Sequence, residues 1–276
     1  MRQSISSKND AKKVFRKLGT CSRTFFYLLN REFGHNKETE EQAADLLAGG
    51  ILQKGHQCGM LWGSSLAVGA EAYRRCKDRD QAIGVAILAT QRVMTSFLDA
   101  ENTINCRDIT HCDFSNKWSF AKYFFSGRFL YCFKMAERWA PEAIQSAIEG
   151  LSDRNTEMLS RSMSCASEVV RKMGGSDEEI IMVAGFAGGL GLSGNGCGAL
   201  SAAIWMHSLK WSKEYPEKSS FSNSNAQKIL DTFNAVTSSE MLCHKICKQH
   251  FNVPGDHTQF IKNGGCNELI DSLSKT

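Results

Sequence analysis

Cysteine is the residue type in this chain best suited to chemistry. Eleven of the 276 residues are cysteines, and the opening segment MRQSISSKND contains no apolar stretch of the kind that an export signal needs. In a reducing compartment, thiols are seldom kept for structural disulfides. We therefore expect a cytoplasmic protein whose cysteines bind a metal or carry out thiol redox chemistry.

Two of these cysteines follow glycine-bearing turns and precede stretches of small residues typical of a closely packed helix. Cys58 lies in GHQCGMLWGSS and Cys197 lies in GNGCGALSAA. The free amides of a first helical turn stabilise a thiolate, which is both the nucleophile and the metal ligand. We expect a lowered thiol pKa at both positions, and we expect Gly196 and Gly198 to let the backbone approach a bound cofactor.

The glycines before Cys197 also match the spacing of a dinucleotide-binding turn. Gly189, Gly191 and Gly194 fit G-x-G-x-x-G, but that turn must follow a buried strand and be followed by an acidic residue about 20 positions later. Here Ser176 and Glu179 stand at capping-box spacing and predict a helix instead, and the segment SLKWSK contains no acid. We therefore favour presentation of a thiolate over binding of a nucleotide.

The cysteines recur in the same order in the two halves of the chain. The steps between them are 37, 48 and 26 residues in the first half and 32, 46 and 23 in the second. Neighbouring segments also correspond, as in AADLLAGGILQKGHQCGMLWGSSLA and MVAGFAGGLGLSGNGCGALSAAIWM. This pattern indicates a tandem duplication with a boundary near Gly150, giving repeats 1–150 and 151–276. The repeated cysteines are Cys21, Cys58, Cys106 and Cys132, then Cys165, Cys197, Cys243 and Cys266.

The order of the repeated cysteines resembles the C_GCAxxG_C_C family of redox-active proteins. In this order, a first cysteine is followed by a glycine-flanked cysteine at the start of a small-residue helix and then by two further cysteines. The second half carries the closer copy of the motif, since it keeps the leading glycine that the first half replaces with Gln57. The final glycine of the motif is replaced by Trp62 and Ser201. The resemblance implies redox or iron–sulfur chemistry at the motif cysteines.

Four cysteines per repeat, on separate helices, could converge as ligands of an iron–sulfur cluster or of a tetrahedral zinc ion. We expect an iron–sulfur cluster that transfers electrons, with zinc or no metal as alternatives. A second hypothesis is a thiol–disulfide oxidoreductase in which Cys197 or Cys58 attacks and Cys243 or Cys247 resolves. The residues leave open whether the protein is an enzyme, and whether the two repeats share one site, although we favour one site in each.

Three cysteines fall outside the repeat pattern. Cys247 follows Cys243 at C-x3-C spacing, which puts both sulfurs on one face of a helix. Cys112 could be an alternative ligand or a resolving thiol, and we interpret Cys76 as a bystander. His111 and His244, which adjoin these cysteines, are candidate general bases or hydrogen-bond donors to cysteine ligands; surface histidines are the alternative.

The elements that must position these residues are predicted to be helices throughout. We predict an all-α helical bundle made of two pseudo-equivalent repeats. The segment Trp118 to Trp139 is predicted as one aromatic helix buried nearly all round, in the core or in a homodimer interface. The other predicted helices cover Asp10 to Phe33, Glu38 to Leu52, Cys58 to Arg75, Gln81 to Ala100, Asp153 to Met173, a helix from Ser176, Cys197 to Ser212, Ser224 to His250 and Cys266 to Leu273.

Charge and hydropathy exclude some classes of partner. The 33 basic and 29 acidic residues give a net charge of +4 and are interleaved, so we expect no nucleic acid. The longest apolar run is broken by glycines and is shorter than the roughly 20 residues of a membrane span, so we expect no membrane. The expected partner is a redox protein that the sequence does not identify.

Overall fold

A computed structural model describes residues 9–152 and 161–276 and confirms the all-α fold. Fifteen α-helices lie in these two ranges, which contain no β-strand and only two isolated β-bridges. No helix in the described part of the chain is long and apolar enough to cross a membrane. The helices are α1 (Ala11–Leu18), α2 (Cys21–Phe33), α3 (Glu38–Ala43), α4 (Gly59–Arg75), α5 (Arg79–Glu101), α6 (Cys106–Thr110), α7 (Lys117–Phe125), α8 (Phe129–Ser152), α9 (Cys165–Lys172), α10 (Asp177–Met182), α11 (Gly198–Glu214), α12 (Asn225–Thr237), α13 (Cys243–Cys247), α14 (Pro254–Lys262) and α15 (Asn267–Ser274).

The helix order confirms two equivalent repeats. After α1, the helices α2 to α8 correspond one by one to α9 to α15, with a short 3-10 turn after α3 (Ala44–Leu47) and after α10 (Ala184–Phe186). The predicted boundary near Gly150 lies in the last turn of α8. Of the predicted helix Asp153 to Met173, residues 153–160 lie outside the described residues, residues 161–164 are not helical, and α9 forms the confirmed part.

The helix starts follow from local capping chemistry. Thr20 and Ser164 are the N-caps of α2 and α9, and each side chain accepts a hydrogen bond from a backbone N–H in the first turn. The predicted capping box at α10 is confirmed, because the Ser176 side chain accepts from the Glu179 amide and the Glu179 carboxylate accepts from the Ser176 amide. The caps at Thr20 and Ser164 fix where the cysteine-bearing helices α2 and α9 begin.

The two repeats share one hydrophobic core. Helix α4 is buried from Gly59 to Ala72, and α11 is buried over most of its length. Helix α4 packs against α10 of the other repeat so closely that a Cβ atom on Gly69 would lie 2.5 Å from the Ile181 carbonyl oxygen. The halves are therefore interlocked and do not pack as separate domains.

Gln57 accounts for one departure from the motif. Its side-chain amide donates to the Gly189 carbonyl over 2.6 Å, and its side-chain oxygen accepts from the Gly196 amide over 3.1 Å. A Cβ atom on Gly196 would lie 2.6 Å from that oxygen. Gln57 and Gly196 are equivalent positions of the two repeats, and the glutamine of one fills the space left by the glycine of the other.

Several predicted helices are interrupted. The prediction for Asp10 to Phe33 is broken at Gly19, which has a φ of 86° and ends α1. The prediction for Ser224 to His250 is broken at Ser238 and Ser239, whose φ angles are 53° and 64°. Neither serine is a strong turn signal, so the apolar periodicity on the two sides predicts one continuous helix.

The aromatic segment differs most from its prediction. It forms two helices, α7 and α8, separated at Gly127, which has a φ of 69°. Helix α7 has no buried residue, and the side chains of Trp118 and Phe125 are 86% and 87% exposed. The prediction of one helix buried nearly all round was wrong, because periodicity does not show whether an aromatic face has something to pack on.

Candidate functional site

The repeated cysteines stand at equivalent helix starts in the two halves, with one exception. Cys132 lies inside α8, whereas Cys266 is the N-cap of α15 with a φ of 60°. In the other three pairs, Cys21 and Cys165 are the first residues of α2 and α9, Cys58 and Cys197 are the N-caps of α4 and α11, and Cys106 and Cys243 are the first residues of α6 and α13.

Backbone hydrogen bonds hold the second and third cysteines of each half together. In the first half, the Cys58 amide donates to the Ile104 carbonyl over 2.7 Å and the Cys106 amide donates to the His56 carbonyl over 2.6 Å. The second half repeats this pattern, with Cys197 donating to Met241 over 2.9 Å and Cys243 donating to Asn195 over 2.7 Å. The segment before each motif helix is thereby paired with the segment before the short helix.

The turn before each motif helix requires glycine. A Cβ atom on Gly50 would lie 2.4 Å from the His56 amide nitrogen, and one on Gly189 would lie 2.7 Å from the Asn195 carbonyl oxygen. Both glycines also have positive φ angles, 77° and 82°. The turn can therefore fold back on itself only because these positions lack a side chain.

We call Cys21, Cys58, Cys106 and Cys132 the first-half cluster. All four line one cavity of about 290 Å³. Cys132 Sγ lies 3.4 Å from the hydroxyl oxygen of Tyr123, which also lines the cavity. The first half therefore brings its predicted ligands to one place.

Within the first-half cluster, one thiol is set apart by its pKa. The Cys58 thiol donates a hydrogen bond to Cys21, and this bond, together with the backbone amides of Gly49 and Ser22, lowers the pKa of Cys21 against the effect of burial. The pKa of Cys58 is raised by the same bond and by burial. Burial also raises the pKa of Cys106, and it raises the pKa of Cys132 to about 11.

We call Cys165, Cys197, Cys243, Cys247 and Cys266 the second-half cluster. Cys247 Sγ lies 3.7 Å from both Cys243 Sγ and Cys266 Sγ, which confirms that the C-x3-C spacing puts two sulfurs on one helix face. Cys165 and Cys197 interact electrostatically with these thiols. The second half thus adds a fifth cysteine to the four repeated ones.

The thiols of the second-half cluster are all difficult to ionise. Burial raises the pKa of Cys165 and Cys197. The pKa of Cys243 is also raised, although its hydrogen bond with Cys247 acts in the opposite direction. The hydrogen bond with Cys243 and burial raise the pKa of Cys247, and the hydrogen bond with Cys247 and burial raise the pKa of Cys266. The prediction of a lowered pKa at Cys58 and Cys197 was wrong, because the hydrogen bond to Cys21 and burial at Cys58, and burial at Cys197, outweigh the amides of the following helix.

The thiols that shift one another's pKa belong to the same half, as expected for two separate sites. Within residues 9–152 and 161–276, no three histidine, cysteine, aspartate or glutamate side chains are already positioned to bind one metal ion together. The 3.7 Å contacts of Cys247 are close to the separation of about 3.8 Å between two sulfurs on a tetrahedral metal with bonds of about 2.3 Å. Thiol side chains would have to rearrange for a third sulfur to join them.

Gly196 and Gly198, predicted to let the backbone approach a cofactor, each have a protein neighbour that requires glycine. Gly196 faces Gln57, and a Cβ atom on Gly198 would lie 1.8 Å from the Phe186 carbonyl oxygen. The equivalent Gly59 makes room for the cluster itself, since its Cβ atom would lie 2.5 Å from Cys21 Sγ. Close packing explains all three glycines, and contact with a cofactor stays a prediction for the first two.

The remaining candidates lie around the clusters. Cys76 is the C-cap of α4, and burial raises its pKa. Cys112 is buried, and the Ser119 hydroxyl donates to its sulfur over 3.7 Å. His244 Nδ1 lies 2.7 Å from the Gly194 carbonyl oxygen, and its ring stacks on His250, while His111 is the C-cap of α6. The structure thus gives His244 a role in holding the glycine turn.

Sequence reasoning missed Tyr123 as a neighbour of the first-half thiols and treated Cys247 as an extra residue. Helices α6 and α13 are equivalent, and Thr110 stands in α6 where Cys247 stands in α13. Alignment of these two helices would have shown that Cys247 is specific to the second half. Tyr123 was hidden among the ten aromatic residues of its segment, with nothing to set it apart.

Comparison with known proteins agrees with the duplication. The family model described as "Putative redox-active protein (C_GCAxxG_C_C)" matches the chain twice, at residues 20–143 and 161–276. No curated protein and no solved structure matches significantly.

Proposed function

The chain belongs to the C_GCAxxG_C_C family, and from this premise we propose that it is an electron-transfer protein whose cysteine clusters hold iron–sulfur clusters. The observation that carries the proposal is the convergence of cysteines from separate helices into one cluster in each half. A cysteine kept only to fill the core has no reason to recur beside three others in both repeats.

The chemistry of the donor set fits such a cofactor. Every member of the two clusters is a cysteine, and thiolates are the ligands of iron–sulfur clusters and of other soft metal centres. Burial disfavours the thiolate form of all nine thiols, and the pKa is raised in every one except Cys21. A bound metal removes this penalty because coordination deprotonates the thiol. A bound iron–sulfur cluster would supply one-electron redox chemistry.

The protein would contribute ligands, burial and hydrogen bonds. Cys165, Cys197, Cys243 and Cys266, with Cys247 beside them, are the proposed ligands in the second half, and the first-half cluster is the proposed set in the other. The amides of Gly49 and Gly188 favour the thiolates of Cys21 and Cys165. Burial and hydrogen bonds to sulfur are the means by which a protein tunes a cluster's potential.

The test is anaerobic purification and reconstitution with iron and sulfide, followed by metal analysis and visible absorption. We expect iron, acid-labile sulfide and a visible chromophore in the wild type. Cys197→Ser should lose about half of the iron, because an alcohol is a much poorer ligand for a soft metal than a thiolate. Cys76→Ser, which changes a cysteine outside both clusters, is the matched control and should keep its full iron content.

Three results would overturn the proposal. Colourless protein containing zinc in place of iron would indicate a structural zinc module. Protein that takes up neither metal on reconstitution, or Cys197→Ser protein with unaltered iron content, would remove the metal centre.

Thiol–disulfide exchange is the second candidate function, and the Cys21–Cys58 pair specifically favours it. Cys21 is the cluster thiol with a lowered pKa, its hydrogen-bond partner is a second thiol, and both line an open cavity. A thiolate next to a resolving thiol is the arrangement that exchange requires. In metal-free protein, oxidation should then yield a Cys21–Cys58 disulfide detectable by peptide mass spectrometry.

A further inference from the structure

We propose that the cavity over the first-half cluster binds an uncharged aromatic small molecule of about two fused rings. The proposal concerns the metal-free chain, because an iron–sulfur cluster held by the four thiols that line the cavity would occupy the same space.

The cavity has the size and the walls of a site for such a molecule. Its volume is about 290 Å³, whereas an engineered apolar cavity of about 150 Å³ in another protein takes up one benzene ring. Aromatic rings form much of its wall, from Phe15, Phe114, Phe120, Tyr123, Phe129 and Phe133. Flat rings packed edge or face against such side chains gain more than the burial of their area alone.

The lining residues also determine the charge of the molecule. None of the residues that line the cavity is charged, and its polar side chains are Thr20, Gln53, Thr110 and Tyr123 in addition to the four thiols. A charged group entering this space would lose its hydration without gaining a counter-ion. A neutral ring system with one or two hydroxyl or carbonyl oxygens is the class that these walls accept.

Comparison of the two repeats shows that the equivalent helices α7 and α14 pack differently. Helix α14 docks on its half through the buried side chains of Pro254, His257, Thr258 and Ile261. The equivalent helix α7 buries no side chain in its half. In the first half, the aromatic helix α7 thus lies over the thiols without packing closely against them.

At the corresponding place the second half also has a cavity, lined by Ile246, Phe260, Cys266 and Leu269, but charged side chains, among them Glu240, Lys245 and Lys248, line it as well. Phe251, His257 and Phe260 pack together there, with ring centroids 5.0 and 5.2 Å from Phe251. Phe251 and His257 are 4% and 2% exposed. Their first-half counterparts are Phe114, Phe120 and Tyr123, which line the cavity. The two repeats therefore differ in the chemistry of this space, because the first-half cavity has uncharged and mainly aromatic walls and the second-half cavity has charged side chains in its walls.

The experiment is a calorimetric titration of the metal-free full chain, before reconstitution with iron and sulfide, with 2-naphthol as the neutral probe and 2-naphthoate as a charged probe with the same rings. We expect one 2-naphthol bound per chain and binding of 2-naphthoate weaker by about tenfold or more, since the carboxylate has no partner in the cavity. Because this comparison uses the wild type, it does not depend on any variant folding.

A pair of substitutions at equivalent positions locates the site. Ile109 lines the first-half cavity, and Ile246, its counterpart on α13, lines the second-half cavity with the charged walls. Ile109→Trp should weaken binding of 2-naphthol about tenfold or more by filling the space, and Ile246→Trp should leave it unchanged. Circular dichroism of both variants checks that they are folded.

Three results would overturn the inference: no binding of 2-naphthol, equal binding of both probes, or equal effects of the two tryptophan substitutions. Iron content measured on the same preparations after reconstitution separates this outcome from that of the proposed function. Protein that binds 2-naphthol but no iron keeps the cavity site and loses the metal centre, and the reverse result does the opposite.

Discussion

At the scale of single residues, the cysteines show two opposing electrostatic effects. A charge at a helix N-terminus gains about 0.3–1 kcal/mol, and up to about 2 kcal/mol when partly buried, whereas full burial can shift a pKa by about 3–5 units, which corresponds to about 4–7 kcal/mol. The hydrogen bond to Cys21 and burial at Cys58, and burial at Cys197, therefore outweigh the helix amides. Cys21 differs because a neighbouring thiol donates directly to its sulfur. Helix position alone does not produce a reactive cysteine in this fold.

Asp45, which is hydrogen-bonded to the residue before Cys21, leads to a prediction of how the stability of the fold depends on pH. It is 7% exposed, accepts a hydrogen bond from the Thr20 hydroxyl, and has its pKa raised to about 6 by burial. Because the folded-state pKa is raised, the folded state is favoured below pH ~4 and loses that advantage as pH rises through about 6. The loss is up to about 3 kcal/mol between these limits.

Asp45→Asn removes the titrating group and keeps an oxygen that can accept from Thr20. We expect the variant to gain stability relative to the wild type between pH 4 and pH 7, measured by urea unfolding at each pH. Asp99→Asn, at an exposed position on α5, is the control and should track the wild type. A difference between Asp45→Asn and wild type that does not change with pH would contradict the buried titration of Asp45.

At the scale of elements, helix termini determine where the cysteines stand. Helix α10 is six residues long and depends on its cap, because a helix this short is not stable on propensity alone. It leads into the 3-10 turn and the glycine turn whose Gly188 amide favours the thiolate of Cys165. The capping box of α10 thus contributes to the geometry of the second-half cluster.

Ser176→Ala should therefore lower the free energy of unfolding by about 1 kcal/mol, since it leaves a first-turn amide without its acceptor. Ser176→Thr keeps the acceptor and, because Ser176 is exposed, should remain close to the wild type. Urea unfolding with an unchanged m-value is the measurement. Equal stability of the alanine and threonine variants would show that the cap does not stabilise this helix.

The elements also show what the sequence could predict and what it could not. The helical class, the duplication, the capping box at Ser176 and the shared face of Cys243 and Cys247 follow from local rules and are confirmed. The breaks at Ser238 and Gly127 and the exposure of α7 were missed. Whether an aromatic helix is docked depends on the surface beneath it, and that surface is assembled from distant segments.

At the scale of the whole molecule, the two repeats depend on each other. The Trp205 indole donates to the Glu40 carbonyl over 3.3 Å, and Lys37 lies 2.7 Å from Glu178. Together with Gln57 and Gly69, these contacts join the halves on several sides, while the cysteine clusters remain within each half. One core thus holds the two cysteine clusters at a fixed separation, which the proposed electron transfer between them would require.

Gly69 tests this interdependence most directly, because a Cβ atom there would lie 2.5 Å from backbone atoms of Ile181 and Met182 in the other repeat. Backbone inside a packed core cannot move aside easily, so Gly69→Ala should cost about 1–3 kcal/mol in urea unfolding. Gly255→Ala is the matched control, since nothing lies within 4 Å of that position, and alanine in a helix should be neutral or slightly stabilising. Amide hydrogen exchange should show α4 and α11 losing protection together in Gly69→Ala, because one core serves both repeats. Loss of protection in one repeat alone would mean that the repeats unfold independently.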